Sequence, residues 1–239
     1  MYHYILFDAD GTLFDYERAE SEALRGSFER SGIPFQDDYL PRYREINGGF
    51  WRRFENKEIT LDFLRVERFA AFFRDRGIDL DPAVFSPLYI SLLGEGAFLF
   101  PGARELLQEL HQTLVLAIIT NGITEVQKRR IAKAGIGHFF RALIISEEIG
   151  ISKPDPAYFE HALQVLGVSD RSEALIVGDS LSSDIKGGIN SGIDTCWFNP
   201  AGHKSNPDIV PTHEIGSFHE LRPILDGAGT RSPAKTGLS

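Results

Sequence analysis

The chain has 239 residues and a mass of 26.7 kDa, with 42% hydrophobic and 11% aromatic residues, so it can bury a substantial core. Its formal net charge of −9 argues against a general nucleic-acid binder, whose affinity depends on neutralising phosphates with lysine and arginine. The one cysteine, Cys196, excludes an intrachain disulfide and fits a cytoplasmic location. No apolar run is long enough for a membrane span, and the N-terminus lacks the basic region of a signal peptide.

The first predicted strand ends in two carboxylates. Tyr4 to Phe7 form a continuous apolar run, which is typical of a strand buried on both faces. Asp8 and Asp10 follow at a spacing of two, so strand alternation sends both side chains to one side, and Gly11 permits a tight turn. Because two adjacent carboxylates repel each other, we expect a hard divalent cation between them. The alternative is a strand followed by an acidic, solvated turn.

The next block, residues 15–96, has helical periodicity and no strand pattern. Four helices are predicted in it, over 16–31, from about 38 to 55, over 61–76 and from 82 to about 94. Their expected N-caps are Asp15, Asp37 or Asp38, Thr60 and Asp81, and Asp81 is followed by a proline at the first helical position. We therefore expect an α-helical cap domain over 15–96, inserted into a second domain formed by 1–14 and 97–226.

From Pro101 onward, predicted strands alternate with helices. The strands are expected at 114–120, 142–145, 174–177, 194–198 and 212–215. Ser217 and Glu220 form a capping-box pattern for the last helix. This alternation predicts an α/β fold, a Rossmann-like doubly wound parallel sheet with helices on both faces. The composition of residues 227–239 predicts a disordered tail.

Polar residues follow three of the predicted strands: Asp8 with Asp10, the segment 120–122, and Asp179. Active sites of doubly wound sheets lie at the carboxyl ends of strands, where the strand order reverses. If the first strand is central and lies between the strands at 114–120 and 174–177, these groups converge into one site.

The residues after the later strands, together with Lys153 and Asp184, fit such a site. Asp179 would face Asp8 and complete an oxygen cage for Mg²⁺. Asp184 lies near the start of the following helix, where it is either a helix cap that supports the site from behind or a direct metal ligand. Lys153 precedes Pro154-Asp155-Pro156, a rigid turn that would hold its ammonium in place. Thr120 offers a hydroxyl group, and the backbone amides of Asn121 and Gly122 can cradle phosphate oxygens.

In chain order, these segments resemble the four motifs of the haloacid dehalogenase (HAD) superfamily. The motifs are Asp8-Ala9-Asp10-Gly11-Thr12, Thr120-Asn121-Gly122, Lys153-Pro154, and Gly178-Asp179 with Asp184. The resemblance extends to about Asp226, and the helical insert resembles the C1 cap of subfamily I. Segments 46–51, 145–148, 186–190 and 194–197 resemble the YjjG/YfnB-type pyrimidine 5'-nucleotidase branch.

The resemblance implies a magnesium-dependent phosphomonoester hydrolase, with Mn²⁺ as a substitute ion. Asp8 would attack phosphorus to form an aspartyl-phosphate, while Asp10 would protonate the leaving alkoxide and then activate water. Mg²⁺ would be held by Asp8, Asp179 and the backbone carbonyl of Asp10, and Lys153 and Thr120 would bind the phosphate. The implied substrates are pyrimidine nucleoside 5'-monophosphates, including non-standard ones.

Several alternatives stay open at this point. A phosphatase or phosphomutase for a sugar phosphate or another small phosphorylated metabolite would share the motifs. A dehalogenase is disfavoured because those relatives lack the second aspartate that Asp10 supplies, and a phosphonatase would need a cap lysine, for which only Lys57 is available. A catalytically silent binding module is the non-enzyme alternative. No nucleic-acid polymer or membrane partner is expected, and the sequence leaves monomer and homodimer equally open.

The cap must supply substrate discrimination, because the motif residues contact only the phosphate. Asn47 and Trp51 lie at i and i+4, on one face of the second insert helix, and Arg68 on the next helix could approach from beside them. An amide and an indole could hydrogen-bond and stack a pyrimidine base. The alternative is that Trp51 packs inside the cap with Phe50 and Phe54.

Overall fold

The computed structural model describes residues 1–227, which form two compact units. One unit contains Met1–Phe14, Leu99–Gly122 and, within the described chain, residues 135–227; the other contains Asp15–Phe98 and Ile123–Ala134. Apart from residue 227, the predicted tail lies outside the described residues. No helix in the described part of the chain has the length and apolar character needed to cross a membrane.

The first unit is built on a parallel sheet of six strands, as far as residues 1–227 are concerned. These strands are β1 (Tyr4–Phe7), β2 (Val115–Thr120), β3 (Ala142–Ile145), β4 (Ala174–Gly178), β5 (Asp194–Phe198) and β6 (His213–Ile215). Their order is β3-β2-β1-β4-β5-β6, so β1 lies between β2 and β4, as predicted. The register pairs Phe7 with Ile118 on one side and with Val177 on the other, which brings the ends of these three strands together. The α/β doubly wound fold is confirmed.

Ten α-helices are found among the described residues. They are α1 (Tyr16–Arg30), α2 (Tyr39–Glu55), α3 (Leu61–Arg76), α4 (Pro82–Glu95), α5 (Ala103–Leu110), α6 (Thr124–Ala134), α7 (Ser146–Ile149), α8 (Pro156–Leu166), α9 (Lys186–Asn190) and α10 (Leu221–Leu225). The sequence pattern did not predict α7, a single turn directly after β3. The sequence pattern predicts one helix over roughly 183–191, whereas the structure has a π-helical turn, Leu181–Ile185, followed by the short α9.

Three of the helix caps predicted for residues 15–96 are formed, and Asp155 caps a fourth helix in the same way. The side chains of Asp15, Thr60, Asp81 and Asp155 each accept a hydrogen bond from a backbone N–H in the first turn of the helix that follows. Asp38 precedes α2 without capping it through its side chain and pairs with Arg76 instead. These caps begin helices where the sequence predicts them, because each satisfies an amide that the helix leaves open.

The predicted capping box before α10 has a different form. The Glu220 carboxylate accepts hydrogen bonds from the Ser217 hydroxyl at 2.9 Å and the Gly216 amide at 3.2 Å. The residues Phe218–Glu220 form a 3₁₀ turn, and α10 begins only after it. In this tighter turn the Glu220 carboxylate accepts from the Gly216 amide, whereas in a capping box it would accept from the amide of Ser217.

The second unit is a helical bundle with an aromatic core. Rings at Phe28, Tyr43, Phe69, Phe85 and Tyr89 pack with centroid separations of 5.0 to 5.7 Å along one connected series. Such contacts favour edge-to-face and offset geometries, which fix the relative rotation of the helices. This unit holds α1 to α4, together with α6.

Helix α6 belongs to the helical unit, although it follows β2 in the alternating part of the sequence. Its residue Arg130 donates from Nε to the Gly96 carbonyl at 3.0 Å, and Lys133 forms an ion pair with Glu95 at 2.7 Å. Ile123 and Val126 are buried in the aromatic and aliphatic core of the helices. The predicted domains, 1–14 with 97–226 and 15–96, stay a prediction. By compactness, residues 123–134 belong with helices α1 to α4.

Candidate active site

Asp8 and Lys153 form a buried ion pair at the end of β1. The Asp8 backbone continues the sheet, with its N–H bonded to the Val177 carbonyl at 2.9 Å. The Lys153 ammonium donates to Asp8 Oδ1 at 2.6 Å and to the Ile119 carbonyl at 3.1 Å. Both side chains are almost completely buried. The lysine that the sequence predicts as a placed cation therefore contacts the predicted nucleophile directly.

Asp179, at the end of β4, is held against the first motif. Thr12 donates from its hydroxyl group to Asp179 Oδ1 at 3.2 Å. Gly11 has a φ of +86°, and a Cβ built on it would lie 2.4 Å from Asp179 Oδ2. A side chain at position 11 is therefore excluded both by the left-handed backbone and by the carboxylate. The tight turn predicted at Gly11 is what allows the two acidic segments to meet.

Asp184 lies beside the same lysine. Its Oδ1 accepts from Lys153 Nζ at 2.6 Å, and its Oδ2 accepts from the Ser180 amide at 3.1 Å. A Cβ at Gly178 would lie 2.4 Å from the Asp184 carboxyl carbon, so glycine is required there. Asp184 therefore caps its own turn and also faces the site, which keeps open both roles predicted for it.

The electrostatics of this cluster show a shortage of positive charge. Burial raises the pKa of Asp8 well above its usual value, and repulsion from Asp184 and Asp179 adds to that shift, while Lys153 opposes it. Burial, with repulsion from Asp184, raises the pKa of Asp179 to about 7. Burial alone would lower the pKa of Lys153, but Asp184 and Asp8 raise it, so the ammonium keeps its charge. One lysine is thus shared among three carboxylates.

The residues present fit a divalent cation. One carboxylate oxygen from each of Asp8, Asp179 and Asp184 lies within 4.8 Å of the other two. Asp8 Oδ2 is buried and has no hydrogen-bond partner among the described residues. A buried carboxylate oxygen without a partner is costly, and an all-oxygen donor set suits Mg²⁺. Asp10, two residues after Asp8 in the chain, is half-buried. Its predicted roles as general acid and as a backbone ligand of the metal stay predictions.

Thr120, at the end of β2, is fixed by a tyrosine that sequence reasoning missed. The Tyr158 hydroxyl accepts from the Thr120 amide at 2.9 Å and donates to the Ile144 carbonyl at 2.7 Å. The Thr120 hydroxyl accepts from the Gly122 amide at 2.9 Å. The Gly122 N–H, expected to bind phosphate, is therefore engaged inside the turn in this structure. In the sequence, Tyr158 looks like an ordinary residue of an apolar helix face.

Asn121 binds the main chain at Lys153 through both ends of its side-chain amide. Its Oδ1 accepts from the Lys153 amide, and its Nδ2 donates to the Lys153 carbonyl, each at 2.9 Å. Two parallel hydrogen bonds fix both position and orientation of the segment they hold. The side chain of Asn121 thus positions Lys153, a role that its place in the predicted phosphate loop did not indicate.

Trp197 is the second residue that the sequence did not single out. It lies on β5, where it pairs with Gly178 of β4, and its indole Nε1 donates to the Asp179 backbone carbonyl at 2.8 Å. The indole therefore anchors the backbone of one predicted metal ligand. No local sequence signal marks this contact, because it depends on the register between two strands.

This site can be compared with known proteins. The model of the haloacid dehalogenase-like hydrolase family matches residues 2–192, which includes Asp8, Lys153 and Asp179. The chain belongs to this family. The membership confirms the recognition based on the four motifs and the prediction that the chain is a hydrolase.

The chain is similar to several members of the family over nearly its whole length. The HAD-hydrolase YfnB of Bacillus subtilis is 39% identical over 97% of this chain and 98% of that protein. The pyrimidine 5'-nucleotidase YjjG of Escherichia coli is 35% identical over 93% of this chain and 97% of that protein. The pyrimidine 5'-nucleotidase PynA of Streptococcus pneumoniae is 34% identical over 94% of this chain and 95% of that protein. A crystal structure of YfnB bound to magnesium matches with a TM-score of 0.89, covering 94% of this chain and 99% of that one. These matches place the chain among the phosphatases of the family.

Two of the three predicted specificity residues meet inside the helical unit. Asn47 and Arg68 are both buried, and Arg68 Nη1 donates to Asn47 Oδ1 at 3.2 Å. Trp51 is half-buried and packs edge-to-face on Phe54 at 5.8 Å, within the same helical core. Lys57, the one lysine considered for a phosphonatase, is exposed just after α2. The roles of Asn47, Trp51 and Arg68 in substrate choice stay predictions.

Proposed function

We propose that this chain is a magnesium-dependent phosphomonoester hydrolase that acts through an aspartyl-phosphate on Asp8, with pyrimidine nucleoside 5'-monophosphates as substrates. The observation that carries the chemistry is the Asp8 carboxylate, which has one oxygen on Lys153 and the other without a partner beside Asp179 and Asp184. The substrate class is supported by the two pyrimidine 5'-nucleotidases that match nearly the whole chain. Mn²⁺ would substitute for Mg²⁺ at such an oxygen site.

The first half-reaction transfers the phosphoryl group to the enzyme. A carboxylate oxygen of Asp8 forms a bond to phosphorus as the bond from phosphorus to the nucleoside 5'-oxygen breaks. Asp10 gives its proton to that oxygen, so the nucleoside leaves as an alcohol. Lys153 and the Thr120 hydroxyl bind oxygens of the transferring group, and the amides of Asn121 and Gly122 extend that contact once the turn opens to phosphate.

The second half-reaction returns the enzyme to its starting state. Asp10, now ionised, takes a proton from water as the water oxygen attacks phosphorus, and the bond from phosphorus to Asp8 breaks to release inorganic phosphate. Asp8, Asp179 and the Asp10 carbonyl would hold Mg²⁺, with Asp184 as a further ligand or a support. When bound, the ion supplies positive charge that offsets the repulsion between the Asp8 carboxylate and the phosphate.

Substrate must reach the Asp8 carboxylate, which is almost completely buried. The YfnB structure bound to magnesium reveals interdomain movement in that protein. We propose that the two units of this chain also move relative to each other during turnover, as helical caps in this family would do to admit substrate and exclude water. Small phosphorylated metabolites are the proposed partners, and the cytoplasmic location expected from the sequence stays a prediction.

A substrate panel tests the proposal. Purified protein with Mg²⁺ should release inorganic phosphate from UMP, CMP and dTMP with higher kcat/KM than from hexose phosphates, and p-nitrophenyl phosphate should report the chemistry alone. If hexose phosphates outrank every nucleotide, the nucleotidase assignment is wrong and the phosphatase assignment stands. If p-nitrophenyl phosphate is not hydrolysed either, the enzyme assignment fails.

A further inference from the structure

Arg68 is a buried cation of the helical unit. It lies in the middle of α3 with 1% of its surface exposed, and the buried Glu20, whose charge acts on it, is joined to it through Asn47. Its Nη1 donates to Asn47, but Nε and Nη2 have no hydrogen-bond partner within residues 1–227. Leaving charged donors buried and unbonded is costly, and native structures rarely do so without a functional reason.

The two free nitrogens form one edge of the guanidinium. The same pair of atoms on Arg42 shows what an occupied edge looks like: Arg42 Nε and Nη2 donate to the two oxygens of Asp75 at 2.9 and 2.6 Å. Two N–H groups on this edge point in nearly the same direction, so they bind either two adjacent acceptors or both lone pairs of one carbonyl oxygen. Arg68 presents this same edge unbonded.

The third donor group of Arg68 is held in place by a chain of hydrogen bonds. Asn47 Nδ2 donates to Glu20 Oε1 at 3.1 Å, and Glu20 Oε2 accepts from Arg44 Nε at 2.8 Å. Because Glu20 fixes the orientation of the Asn47 amide, the amide oxygen faces Arg68 Nη1. Glu20 is buried, and burial raises its pKa even though Arg44 and Asn47 lower it. This series of hydrogen bonds therefore fixes the orientation of Arg68. It also places the Glu20 carboxyl group near Arg68, where it disfavours a bound anion.

Aromatic rings and two hydroxyl groups complete the surroundings of Arg68. Its guanidinium carbon lies 4.9 Å from the centroid of the Phe69 ring and 5.0 Å from that of Tyr89. The hydroxyl groups of Tyr43 and Tyr89 are buried beside each other and have no further hydrogen-bond partner among the described residues. Burial is the main cause of a raised pKa for both phenols, so both keep their protons and can donate.

We propose that the Arg68 edge, with the Tyr43 and Tyr89 hydroxyls, is the site of the helical unit that binds a ring carbonyl of the pyrimidine base. This inference rests on the proposed nucleotidase function and deepens it. Every pyrimidine nucleotide base carries a 2-carbonyl, which offers two lone pairs to two N–H donors. Adenine carries no carbonyl, so it leaves the same donors unsatisfied, which a buried site discriminates against strongly.

A neutral carbonyl fits this site better than a carboxylate or a phosphate. An anion would gain attraction from Arg68 but would lie in the same network as Glu20. A planar base adds contact with the flat aromatic surfaces beside the guanidinium, and it requires donors rather than net positive charge. Asn47 acts in this arrangement as a positioning residue, because both ends of its amide are committed to Glu20 and Arg68.

The experiment compares Arg68→Gln with Arg42→Gln, a matched control in which the same change is made at an arginine already paired with Asp75. In the full-length protein with Mg²⁺, kcat/KM is measured for UMP, CMP, AMP and p-nitrophenyl phosphate. Thermal stabilisation by uridine and by adenosine, which carry no phosphate, is measured alongside. For Arg68→Gln we expect about a tenfold to hundredfold loss with UMP and CMP, as for the removal of hydrogen bonds from a charged donor. The aryl phosphate should change by less than about twofold, and stabilisation by uridine should disappear.

A second variant keeps the test decisive if Arg68→Gln does not fold. Tyr89→Phe removes one hydroxyl only, and it should lower kcat/KM for UMP while that for p-nitrophenyl phosphate is unchanged. If the folded variants keep the wild-type ratio of UMP to p-nitrophenyl phosphate and the stabilisation by uridine, the inference is overturned and the nucleotidase function stands. If wild-type protein hydrolyses only the aryl phosphate and gains no stability from uridine, both the nucleotidase function and this inference fail.

Discussion

The end of β1 and the interior of the helical unit each bury charged groups, but the two regions lack different partners. At the strand end, Asp8, Asp179 and Asp184 share the one ammonium of Lys153. In the helical unit, Arg68 is buried with its side edge unbonded among the described residues. Repelling buried carboxylates and unbonded buried donors are both costly unless a ligand offsets them. The first region therefore requires a cation, and the second requires a hydrogen-bond acceptor.

The two regions also differ in how their side chains are positioned. The strand-end residues directly follow β1, β2 and β4. The parallel pairing of these strands fixes the backbone within a few residues of each side chain. The residues around Arg68 come from α1, α2, α3 and α4, and their contacts depend on how four helices pack. We therefore expect small changes to disturb the helical site more easily than the strand-end site. Substitutions made in one region at a time separate the roles of the two.

The substitution Asp8→Asn should abolish turnover without harming the fold. The amide is a poor nucleophile, so we expect a loss of at least about 10⁴-fold in kcat with p-nitrophenyl phosphate. Stability should be kept, because one of three mutually repelling carboxylates is neutralised and Lys153 retains Asp184. The control is Asp194→Asn, at the opposite end of the sheet, where Asp194 accepts from the Tyr2 hydroxyl at 2.7 Å. Activity in Asp8→Asn above a few per cent of wild type would exclude Asp8 as the nucleophile.

Removal of divalent ions should abolish activity, and Mg²⁺ should restore it. Mg²⁺ should also raise the melting temperature, since a ligand at one hundred times its Kd stabilises the folded state by about 2.7 kcal/mol. The melting shift should vanish in Asp179→Asn and remain complete in Arg68→Gln, because only the strand-end region holds the cation. Full activity after exhaustive chelation would reject the metal assignment.

Asp10→Asn should slow turnover by about 10²- to 10⁴-fold with UMP, the range typical of general acid–base catalysis. The loss in the phosphorylation step should be smaller with p-nitrophenyl phosphate, because its leaving group is a stabilised phenolate that needs no proton. Single-turnover phosphorylation rates measure this difference. An equal loss on both substrates means that Asp10 is not the general acid.

The strand-end site was largely predictable because its residues belong to short local patterns. Asp8, Asp179 and Lys153 could be assigned from strand ends and a proline-bounded turn, and the structure brings all three together. Tyr158 and Trp197 could not be assigned, since their polar atoms matter only once β2, β3, β4 and β5 are in register. The grouping of α6 with the helices by compactness also depends on contacts between distant segments, such as that of Arg130 with the Gly96 carbonyl.

The helical site was predictable only in part. Helical spacing indicates which residues share one face of α2, but it gives no rotation of α2 relative to α1 or α3. The proximity of Arg68 to Asn47 was therefore expected in outline, whereas the participation of Glu20 and Tyr89 was not. Trp51, expected beside Asn47, packs on Phe54 in the same helix.

Trp197→Phe should weaken magnesium binding without removing any metal ligand. The indole holds the Asp179 carbonyl, and loss of such an orienting contact typically lowers metal affinity by about tenfold or more. The half-saturating Mg²⁺ concentration for p-nitrophenyl phosphate should therefore rise by about tenfold, with kcat at saturating Mg²⁺ nearly unchanged. Trp51→Phe, in the helical unit, is the matched control and should leave the Mg²⁺ dependence unaltered. A fall in kcat that Mg²⁺ cannot restore would place the effect of Trp197 outside the metal site.

The smallest expected effect compares the same substitution in both regions. Tyr158→Phe removes a hydroxyl that accepts from the buried Thr120 amide and donates to the Ile144 carbonyl, so both hydrogen bonds are lost. We expect it to lower the free energy of unfolding by about 1–3 kcal/mol. Tyr89→Phe removes a buried hydroxyl that has no partner beyond Tyr43 among the described residues, and it should change stability by less than about 0.5 kcal/mol. Urea denaturation followed by circular dichroism measures both values. Equal destabilisation by the two variants would mean that the Tyr89 hydroxyl is already satisfied in the free protein, and the helical site would then lose one of its proposed donors.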